Sequence, residues 1–365
     1  MKISRNDVFI FILAGGRGTR FWPLSRKGRP KQFLRIFNSQ SMLEKTYNRF
    51  KGIVASKQIF IITSSAQLKD IKKQLPQVPL KNFILEPEPR GTAAAIGLAA
   101  ACLKGKNRQN VMVIVPADQH ITSDKIFRTT VKRAVSLASS GNLITIGIKP
   151  TFAATGYGYL KFGERVKSAS TYGYKVEKFI EKPSLAKAKR FLSSGSYYFN
   201  CGMFVWRQDI FLDEIKTHMP SLAKTLKISG EKVFSREKKI KSISSNYKKL
   251  KPISIDYGLM QKTKKILAIK AGFGWSDLGS LKSLEEIGLK KQKSNIIINA
   301  LSVSDNTDSC IIYGEKNHLI ATIGVSGLII IQTPDATLVA KKEEAQKIKK
   351  IVDRLTGSKQ LTKYA

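Results

Sequence analysis

The sequence predicts an α/β protein with a mainly parallel, Rossmann-like sheet and a smaller β-rich segment at its C-terminal end. Short β-branched runs, such as Phe9–Leu13 and Val111–Pro116, alternate with helical patterns, such as Thr92–Leu103. From about Asn295 the pattern changes to short strands interrupted by Gly, Asn and Asp, and a charged helix, Lys341–Leu355, follows. With 365 residues and 42% hydrophobic content, the chain can bury one large core and a smaller second one.

The elements expected in the parallel part follow one another regularly. The strands are Phe9–Leu13, Gln58–Thr63, Asn82–Leu85, Val111–Pro116 and Leu143–Ile148, and the helices are Ser41–Phe50, Ala66–Leu75, Thr92–Leu103 and Asp124–Ser139. Strands that alternate with helices form βαβ units, in which helices cover both faces of the sheet. From about Tyr157 we expect shorter, antiparallel strands, one of them over Lys175–Ile180. The basic stretch Glu231–Lys251 is predicted to be an exposed helix and loop.

The chain is strongly basic, with a formal charge of +38 and a pI near 10.1. Such a charge suggests an anionic partner such as nucleic acid. The lysines are scattered through every segment, however, and no helix-turn-helix, zinc-finger, RNA-recognition or cold-shock signature accompanies them. We therefore interpret the charge as a solvated surface that steers phosphates toward the protein, and we expect no nucleic-acid partner. Nucleic-acid binding stays as the least favoured alternative.

The cysteines and the apolar runs indicate in which cellular compartment the protein is found. Cys102, Cys201 and Cys310 lie far apart, so they suggest neither a metal-ligand pair nor a disulfide framework. The apolar run Val8–Leu13 after basic residues imitates a signal peptide, but it is short and a buried first strand explains it better. No run has the length of a transmembrane helix. These observations predict a cytoplasmic protein without a membrane partner.

The most informative motif is the glycine-rich stretch Ala14–Arg20, which follows an apolar strand. Its three glycines let the backbone turn tightly and expose successive N–H groups that can cradle phosphate oxygens. Arg20 and Lys31 add positive charge to the same segment. The spacing fits neither the P-loop nor the dinucleotide fingerprint. The stretch therefore suits a nucleoside triphosphate held in a different way.

Two further motifs follow predicted strands, at the edge where ligands collect in α/β sheets. Glu86–Thr92 leads into a small-residue helix whose N-terminus favours anions or polar bases. Pro116–His120 places Asp118 where a carboxylate can bind Mg²⁺ together with substrate phosphates. A turn or N-cap aspartate is the alternative interpretation of Asp118. The sequence thus predicts a phosphate-binding site at the carboxyl edge of the sheet.

Several motifs resemble those of a known family. Ala14–Arg20, Trp22–Arg26 and Pro30–Phe33 resemble the signature of the sugar-1-phosphate nucleotidyltransferases, in particular their mannose-1-phosphate guanylyltransferase branch. The resemblance runs nearly end to end, because the tail around Asp335–Ala340 is similar to the short β-helical segment that follows the catalytic domain. It implies a nucleotidyltransferase domain over residues 1–285 and a β-helix-like segment ending in a helix over residues 286–365. No isomerase domain is expected, since the chain stops at Ala365.

The resemblance also implies an activity. A guanylyl group would pass from GTP to α-D-mannose 1-phosphate, giving GDP-mannose and pyrophosphate, with Mg²⁺ or Mn²⁺ as the metal. The sugar phosphate is already anionic, so no general base or covalent nucleophile is required. Two alternatives stay open: another triphosphate and sugar phosphate, such as UTP or dTTP with glucose 1-phosphate, and a catalytically silent regulatory paralogue. A homodimer through the C-terminal segment is also left open.

The site residues implied by the resemblance form four groups. The catalytic residues are Arg20, Lys31 and Lys182. The nucleotide-binding residues are Leu13, Ala14, Gly15, Gly16, Gly18, Thr19, Arg20, Glu86, Arg90, Thr92 and Ala117. The residues that bind the sugar phosphate are Gly156, Tyr157, Glu181, Lys182, Asn200 and Asp256. The metal ligands are Asp118 and Asp277.

At a few positions the chain departs from the family's pattern. Gly91 stands where the family usually has asparagine in the loop that reads the base, and this departure keeps the alternative triphosphates open. Phe199 and Cys201 replace a tryptophan and a serine, which we expect to alter packing more than chemistry. Gln119 precedes His120, which leaves His120 with a structural contact as its expected role.

Overall fold

The computed structural model describes residues 4–16, 18–37, 39–103, 109–168, 171–226, 243–287, 291–292, 294–315 and 317–365. Its strands are β1 (Val8–Leu13), β2 (Ile59–Ser64), β3 (Phe83–Glu86), β4 (Val111–Pro116), β5 (His120–Ile121), β6 (Leu143–Ile148), β7 (Gly158–Ser168), β8 (Thr171–Glu181), β9 (Tyr197–Arg207), β10 (Ile266–Lys270), β11 (Trp275–Ser276), β12 (Lys291–Gln292), β13 (Asn295–Ile298), β14 (Leu301–Asp305), β15 (Ile311–Tyr313), β16 (Leu319–Ile323), β17 (Leu328–Thr333) and β18 (Ala336–Lys341). Its α-helices are α1 (Met42–Arg49), α2 (Ser65–Gln74), α3 (Thr92–Cys102), α4 (Asp124–Ala138), α5 (Leu185–Ser194), α6 (Gln208–His218), α7 (Pro220–Thr225) and α8 (Ile348–Gly357).

The chain forms two compact units, and each is assembled from separate segments. Unit 1 comprises Met1–Gly15, Thr46–Ala117 and Ser123–Phe273. Unit 2 comprises Gly16–Lys45, Asp118–Thr122 and Gly274–Ala365. In the part of the chain that the structure describes, no helix combines the length and the apolar character that crossing a membrane requires.

Unit 1 is built on a nine-stranded sheet in the order β3-β2-β1-β4-β9-β6-β10-β8-β7. Strands β3, β2, β1 and β4 are parallel neighbours, as are β6 and β10. Strand β9 runs antiparallel between β4 and β6, and the long strands β7 and β8 form an antiparallel pair at the other edge. The sheet is therefore parallel at the N-terminal side and mixed beyond it.

The core of unit 1 depends on the small side chains of α3. Its alanines from Ala93 to Ala100 are almost completely buried. A methyl group on Gly97 would lie 2.7 Å from Leu226 Cδ1, so the Leu226 side chain would have to shift to admit one. Small residues let α3 approach its neighbours closely, which fixes the loop that precedes its first turn.

Unit 2 contains the C-terminal strands. Strands β13, β15 and β17 are parallel and stack Ile296, Ile311 and Ile329 in register, while β14 and β16 form a second parallel pair. Short parallel strands follow one another along this segment, and the isoleucines of successive strands stack inside it. This arrangement is typical of a β-helix. Strands β5 and β11 form a separate two-stranded ribbon.

Most of the predicted elements are confirmed within one or two residues. The expectation of shorter strands after Tyr157 is wrong, because the antiparallel strands β7, β8 and β9 each span 11 residues, and β8 runs over Thr171–Glu181 instead of Lys175–Ile180. Strands β4 and β6 have the predicted bounds, and β1, β2 and β3 begin or end one residue away. The predicted helix Lys341–Leu355 is instead a 3₁₀ stretch, Lys342–Lys347, that continues into α8. Residues 227–242, which hold more than half of the basic stretch Glu231–Lys251, lie outside the described part of the chain.

Candidate active site

The carboxyl ends of three parallel strands in unit 1 carry the first group of predicted residues. The Ala14 N–H donates to the Ile62 carbonyl at 2.9 Å, and the Ala117 N–H donates to the Leu13 carbonyl at 3.0 Å. These bonds extend the ladders of β1, β2 and β4 by one residue, so Leu13, Ala14 and Ala117 lie together. Gly15 follows, exposed, and a methyl group on it would lie 3.8 Å from Glu86 Oε2. Glu86 itself ends β3.

The remainder of the glycine-rich loop belongs to unit 2. Gly18 has φ +66°, and a side chain on it would come within 2.2 Å of Lys31 Cβ. Only glycine fits such a conformation so close to another backbone. Ser25 Oγ donates to the Gly18 carbonyl at 2.6 Å, and the 3₁₀ turn Thr19–Phe21 leaves Arg20 exposed. The loop is thus held against Lys31, while Gly16 and Arg20 face solvent.

Lys31 connects the two predicted metal ligands. Its Nζ lies 3.0 Å from Asp118 Oδ2 and donates to the Asp277 backbone carbonyl at 2.5 Å. The lysine side chain is 7% exposed and the Asp118 side chain 36%. A nearly buried ammonium thus neutralises a carboxylate that solvent can reach.

The β5–β11 ribbon explains why Asp118 and Asp277 meet. Ser276 pairs with His120 in this antiparallel ribbon, Asp277 follows β11 directly, and Asp118 precedes β5 by two residues. Both aspartates therefore lie at the same end of the ribbon. The Gly279 N–H donates to Asp277 Oδ1 at 2.8 Å. The His120 ring packs against Phe37 with ring centroids 4.4 Å apart, a structural contact of the kind expected.

The donor set at this point suits a particular kind of metal ion. Among the described residues, no group of three or more His, Cys, Asp or Glu side chains is placed to hold a metal. A pair of aspartates fits Mg²⁺, which binds through one or two protein carboxylates and completes its shell with water and substrate phosphates. Asp118 and Asp277 therefore fit a metal that is shared with the substrate.

Glu86 is the most perturbed group at the sheet edge. Its Oε1 accepts a hydrogen bond from Tyr247 Oη at 2.8 Å. Burial raises the pKa of Glu86 to about 7, and the bonds from Tyr247 and from the Arg90 backbone oppose this rise. A carboxyl group that titrates near neutrality at a ligand-binding edge is typical of a functional site. Sequence reasoning missed Tyr247, because nothing local links it to Glu86.

The loop after Glu86 is fixed by the segment around Ile253. Gly91 has φ +84°, and a methyl group on it would lie 2.3 Å from the Ile253 carbonyl oxygen. The Ile253 N–H donates to the Arg90 carbonyl at 3.3 Å. Thr92 Oγ1 accepts the Ile255 N–H at 2.9 Å. The glycine that replaces the family's asparagine is therefore required by this close approach of two backbones.

Arg90 and Thr92 have their side chains engaged within unit 1. Arg90 Nη2 lies 3.0 Å from Glu88 Oε2, and its Nε is buried without a hydrogen-bond partner in the described structure. The Thr92 hydroxyl accepts from backbone and keeps its own proton to donate. Both residues thus retain donors for a polar ligand.

The residues predicted to bind the sugar phosphate converge in unit 1. A methyl group on Gly158 would lie 2.4 Å from Glu181 Oε2 and 3.3 Å from Asn200 Cβ, so these two side chains flank the same glycine. Lys182 has φ +48°, its N–H donates to the Tyr157 carbonyl at 3.1 Å, and its Nζ lies 3.5 Å from Glu181 Oε1. The Lys182 side chain is 56% exposed.

A buried polar chain holds the acids of this group. Thr145 Oγ1 donates to Asn200 Oδ1 at 2.9 Å, and Asn200 Nδ2 donates to Asp256 Oδ1 at 2.9 Å. Burial raises the pKa of Glu181 to about 7, and the nearby Asp256 carboxylate adds to the rise. The pKa of Asp256 is also raised, chiefly by burial. Two neighbouring carboxyl groups that resist ionisation suit the recognition of sugar hydroxyls. Gly156 is exposed beside Tyr157.

The departures from the family's pattern at Phe199 and Cys201 concern packing. Phe199 packs edge-on against Tyr157, with ring centroids 5.0 Å apart, and against Tyr159 at 5.1 Å. Cys201 is buried, which raises the pKa of its thiol to about 12 and keeps it protonated. Neither residue offers a reactive group to a ligand.

Comparisons with known proteins agree with this geometry. Residues 10–294 match the nucleotidyl transferase family, and residues 301–355 match the MannoseP isomerase/GMP-like beta-helix domain. The class is therefore that of enzymes that transfer nucleotidyl groups, which generally use a divalent metal ion.

Relatives and a solved structure narrow the assignment. The chain is 36% identical to a mannose-1-phosphate guanylyltransferase of Escherichia coli over 94% of its own length and 75% of the relative's. It is 38% identical to one from Salmonella montevideo, over 94% and 73%. A crystal structure described as mannose-1-phosphate geranyltransferase from Thermus thermophilus superposes with a TM-score of 0.84 at 30% identity, covering 96% of this chain and 99% of that one. The chain belongs to the mannose-1-phosphate guanylyltransferase family, and the predicted fold class is confirmed.

Proposed function

We propose that the protein transfers a guanylyl group from GTP to α-D-mannose 1-phosphate, releasing GDP-mannose and pyrophosphate. The observation that carries the proposal is the Lys31 ammonium, which joins Asp118 and the Asp277 backbone beside a glycine-rich loop. This arrangement provides a cation that can pair with phosphates and two aspartates that can hold a metal ion, as nucleotidyl transfer requires. The relatives named as mannose-1-phosphate guanylyltransferases supply the substrates of the proposal.

The proposed reaction is a single in-line displacement. A phosphate oxygen of the sugar phosphate forms a bond to the α-phosphorus, the bond from that phosphorus to the bridging α–β oxygen breaks, and pyrophosphate leaves with the electron pair. The attacking oxygen is already anionic, so no residue has to remove a proton. The protein's contribution is to hold the phosphates in position and to neutralise their charge.

Residues of the glycine-rich loop would hold the triphosphate. The N–H groups of Gly15, Gly16, Gly18 and Thr19 donate to phosphate oxygens, and the exposed Arg20 guanidinium pairs with them. Lys31 would stabilise the region of the α-phosphate. Asp118 and Asp277 would bind Mg²⁺ or Mn²⁺. The metal, when bound, supplies charge neutralisation between the nucleotide and sugar phosphates.

The base would be read at the carboxyl end of β3. Ionised Glu86 offers two acceptor oxygens, which match the adjacent N1–H and N2–H groups of guanine. Arg90 and Thr92 contribute donors to the same loop, and Leu13, Ala14 and Ala117 line the strand ends with backbone. This arrangement favours guanine over uracil and thymine, which present one N–H between two carbonyls.

The sugar phosphate would be bound by the group around Gly158. Glu181 and Asp256 accept hydrogen bonds from hydroxyls, and Asn200, already bound to Asp256, adds an amide. Lys182 is exposed enough to pair with the phosphate. The backbone at Gly156 and Tyr157 completes the group. All of these residues lie within residues 1–285, which we propose as the transferase domain, with residues 286–365 as the β-helix-like segment.

Two further proposals concern the protein's state. We propose a homodimer, supported by an apolar face on β14 and β16 in which Leu301 and Leu319 are paired in register and both exposed. We also propose a cytoplasmic location, supported by Cys102, Cys201 and Cys310, which are buried and form no disulfide.

A panel of triphosphates tests the proposed reaction. Pyrophosphate release is measured with Mg²⁺, mannose 1-phosphate and each of GTP, ATP, UTP and dTTP, with Mn²⁺ in a parallel series. Release with GTP alone supports the proposal. Release only with another triphosphate would keep the chemistry and reject guanine, and no release with this or any other sugar phosphate would favour the regulatory paralogue.

A further inference from the structure

The fully buried Tyr247 forms a hydrogen bond with the half-buried Glu86 at the proposed base-binding loop. The Tyr247 side chain is completely buried, and its Oη donates to Glu86 Oε1 at 2.8 Å. Within the described residues, none of the ion pairs includes Glu86, and the nearby Arg90 guanidinium pairs with Glu88. The carboxyl group is therefore oriented by two neutral donors, the Tyr247 hydroxyl and the Arg90 backbone N–H.

The Tyr247 hydroxyl is a permanent donor to this carboxyl group. Burial and the adjacent Glu86 both raise the pKa of Tyr247 above its ordinary value, so the phenol keeps its proton at any pH the enzyme meets. A phenol that cannot ionise next to a carboxylate can only donate to it. The bond fixes one carboxylate oxygen and leaves Oε2 toward Gly15, where the nucleotide loop begins.

We propose that Tyr247 is a positioning residue for base recognition, which orients the Glu86 carboxyl group so that its oxygens can accept from guanine. This inference rests on the proposed function. It assigns no contact between Tyr247 and the substrate, because the ring is buried behind the carboxyl group. Its effect must therefore appear in the binding of GTP and not in the binding of the sugar phosphate.

The ionisation of Glu86 gives the inference a distinct signature. Burial raises the pKa of Glu86 to about 7, and the Tyr247 bond lowers it from a still higher value. Loss of that bond therefore raises the pKa of Glu86 further. At neutral pH a larger fraction of the enzyme then has a protonated Glu86, which offers one hydrogen-bond acceptor fewer. The loss of GTP binding without the Tyr247 hydroxyl should be large at pH 7. It should become smaller as the pH rises and Glu86 ionises.

The experiment compares Tyr247→Phe with the wild type from pH 6 to 9. We expect the KM for GTP of the variant to be about tenfold higher at pH 7, as for loss of a hydrogen bond to a charged group. The difference between the KM values of the variant and the wild type should be smaller at pH 9. The kcat and the KM for mannose 1-phosphate should stay within about twofold. Tyr47→Phe is the matched control, since Tyr47 is equally buried and its hydroxyl has no hydrogen-bond partner in the described structure.

A second comparison uses Glu86→Gln. If Tyr247 acts through Glu86, Tyr247→Phe should change the KM for GTP less than about twofold in the Glu86→Gln background. The Glu86→Gln variant should also show a weaker pH dependence of this KM than the wild type, leaving only the titration of GTP itself. This pH comparison tests the titration of Glu86 on which the inference depends, and it can be made whether or not Tyr247→Phe folds.

The outcomes separate the inference from the proposed function. A wild type that releases no pyrophosphate with GTP contradicts the proposed function and the inference with it. An active wild type with an unchanged KM for GTP in Tyr247→Phe overturns the inference alone. The inference is also overturned if both KM values rise together, or if Glu86→Gln and the wild type share one pH dependence.

Discussion

The Lys31 ammonium lies 3.0 Å from Asp118 Oδ2 and forms an ion pair between a nearly buried lysine and a half-exposed aspartate. The same ammonium donates to the Asp277 backbone, so one cation joins the two segments at one end of the β5–β11 ribbon. Lys31 thus offsets the negative charge of Asp118 and holds the Asp277 segment beside it. Its position also links the stability of unit 2 to the proposed chemistry.

Replacing Asp118 by asparagine should therefore affect both activity and stability. We expect pyrophosphate release to fall at least about a hundredfold, because a proposed ligand of the metal ion that neutralises the phosphates is lost. Lys31, left without its anion, should lower the free energy of unfolding by about 1–3 kcal/mol. Asp335→Asn is the control, since Asp335 pairs with Arg26 at an exposed position and should leave release unchanged. Full activity of Asp118→Asn would contradict the assignment of Asp118 to the metal.

Gly91 should tolerate no side chain. Alanine there combines positive φ with a contact of 2.3 Å to the Ile253 carbonyl oxygen, so we expect a loss of roughly 3 kcal/mol or more in urea unfolding. Gly195→Ala is the matched control, because Gly195 has φ +66° with nothing within 4 Å and should lose only about 1 kcal/mol. Gly91→Asn should likewise destabilise the protein and should not sharpen the preference for GTP. Equal losses at both glycines would show that the contact with Ile253 is relieved at no cost.

The binding of the sugar phosphate should depend on the titration of Glu181. Its pKa is raised to about 7, so a fall in pH through 7 protonates it and removes a hydroxyl acceptor, which raises the KM for mannose 1-phosphate. Asp256→Asn removes the negative charge that contributes to this rise, and the inflection in the KM profile should move to lower pH. Glu164→Gln, at an exposed pair with Lys175, should leave the inflection in place. An inflection that does not move in Asp256→Asn would exclude the coupling.

The proposed homodimer depends on the apolar face of β14 and β16. Leu319 is 57% exposed on this face, so Leu319→Lys should introduce a charge into the interface and give a monomer in sedimentation velocity. Val339→Lys is the control, because Val339 is similarly exposed, at 61%, but lies on β18. The wild type and Val339→Lys should both sediment as dimers. A monomeric wild type would disprove the dimer.

The parts of the fold that were predicted from the sequence are those with local signals. Strands β1 to β4 are short apolar runs, α3 is a run of small apolar residues, and α2 and α4 follow periodic apolar patterns. Local stretches of chain contain each of these signals in full. The insertion of β9 between β4 and β6 was not predicted, since strand order depends on pairing between distant segments. The C-terminal α-helix begins later than predicted because the stretch Lys342–Lys347 is 3₁₀, which the same charged pattern also allows.

In the candidate site, too, some residues carry a local sequence signal and others do not. The motifs around Gly15, Glu86 and Asp118 were recognisable because each follows a strand with unusual local composition. The partners that hold them, Tyr247 for Glu86 and Ile253 for Gly91, carry no such signal, and their contacts join segments far apart in sequence. The roles of the site residues in binding substrates and metal remain predictions.

The contact between Gly91 and Ile253 has a consequence for engineering and for sequence comparison. A side chain at residue 91 requires the backbone at Ile253 to lie farther away than it does here. To introduce the family's asparagine at residue 91, an engineer would also have to replace residues 251–255 by the family's sequence. Among natural sequences, the two positions should accordingly vary together, with glycine at one site accompanying close passage of the backbone at the other.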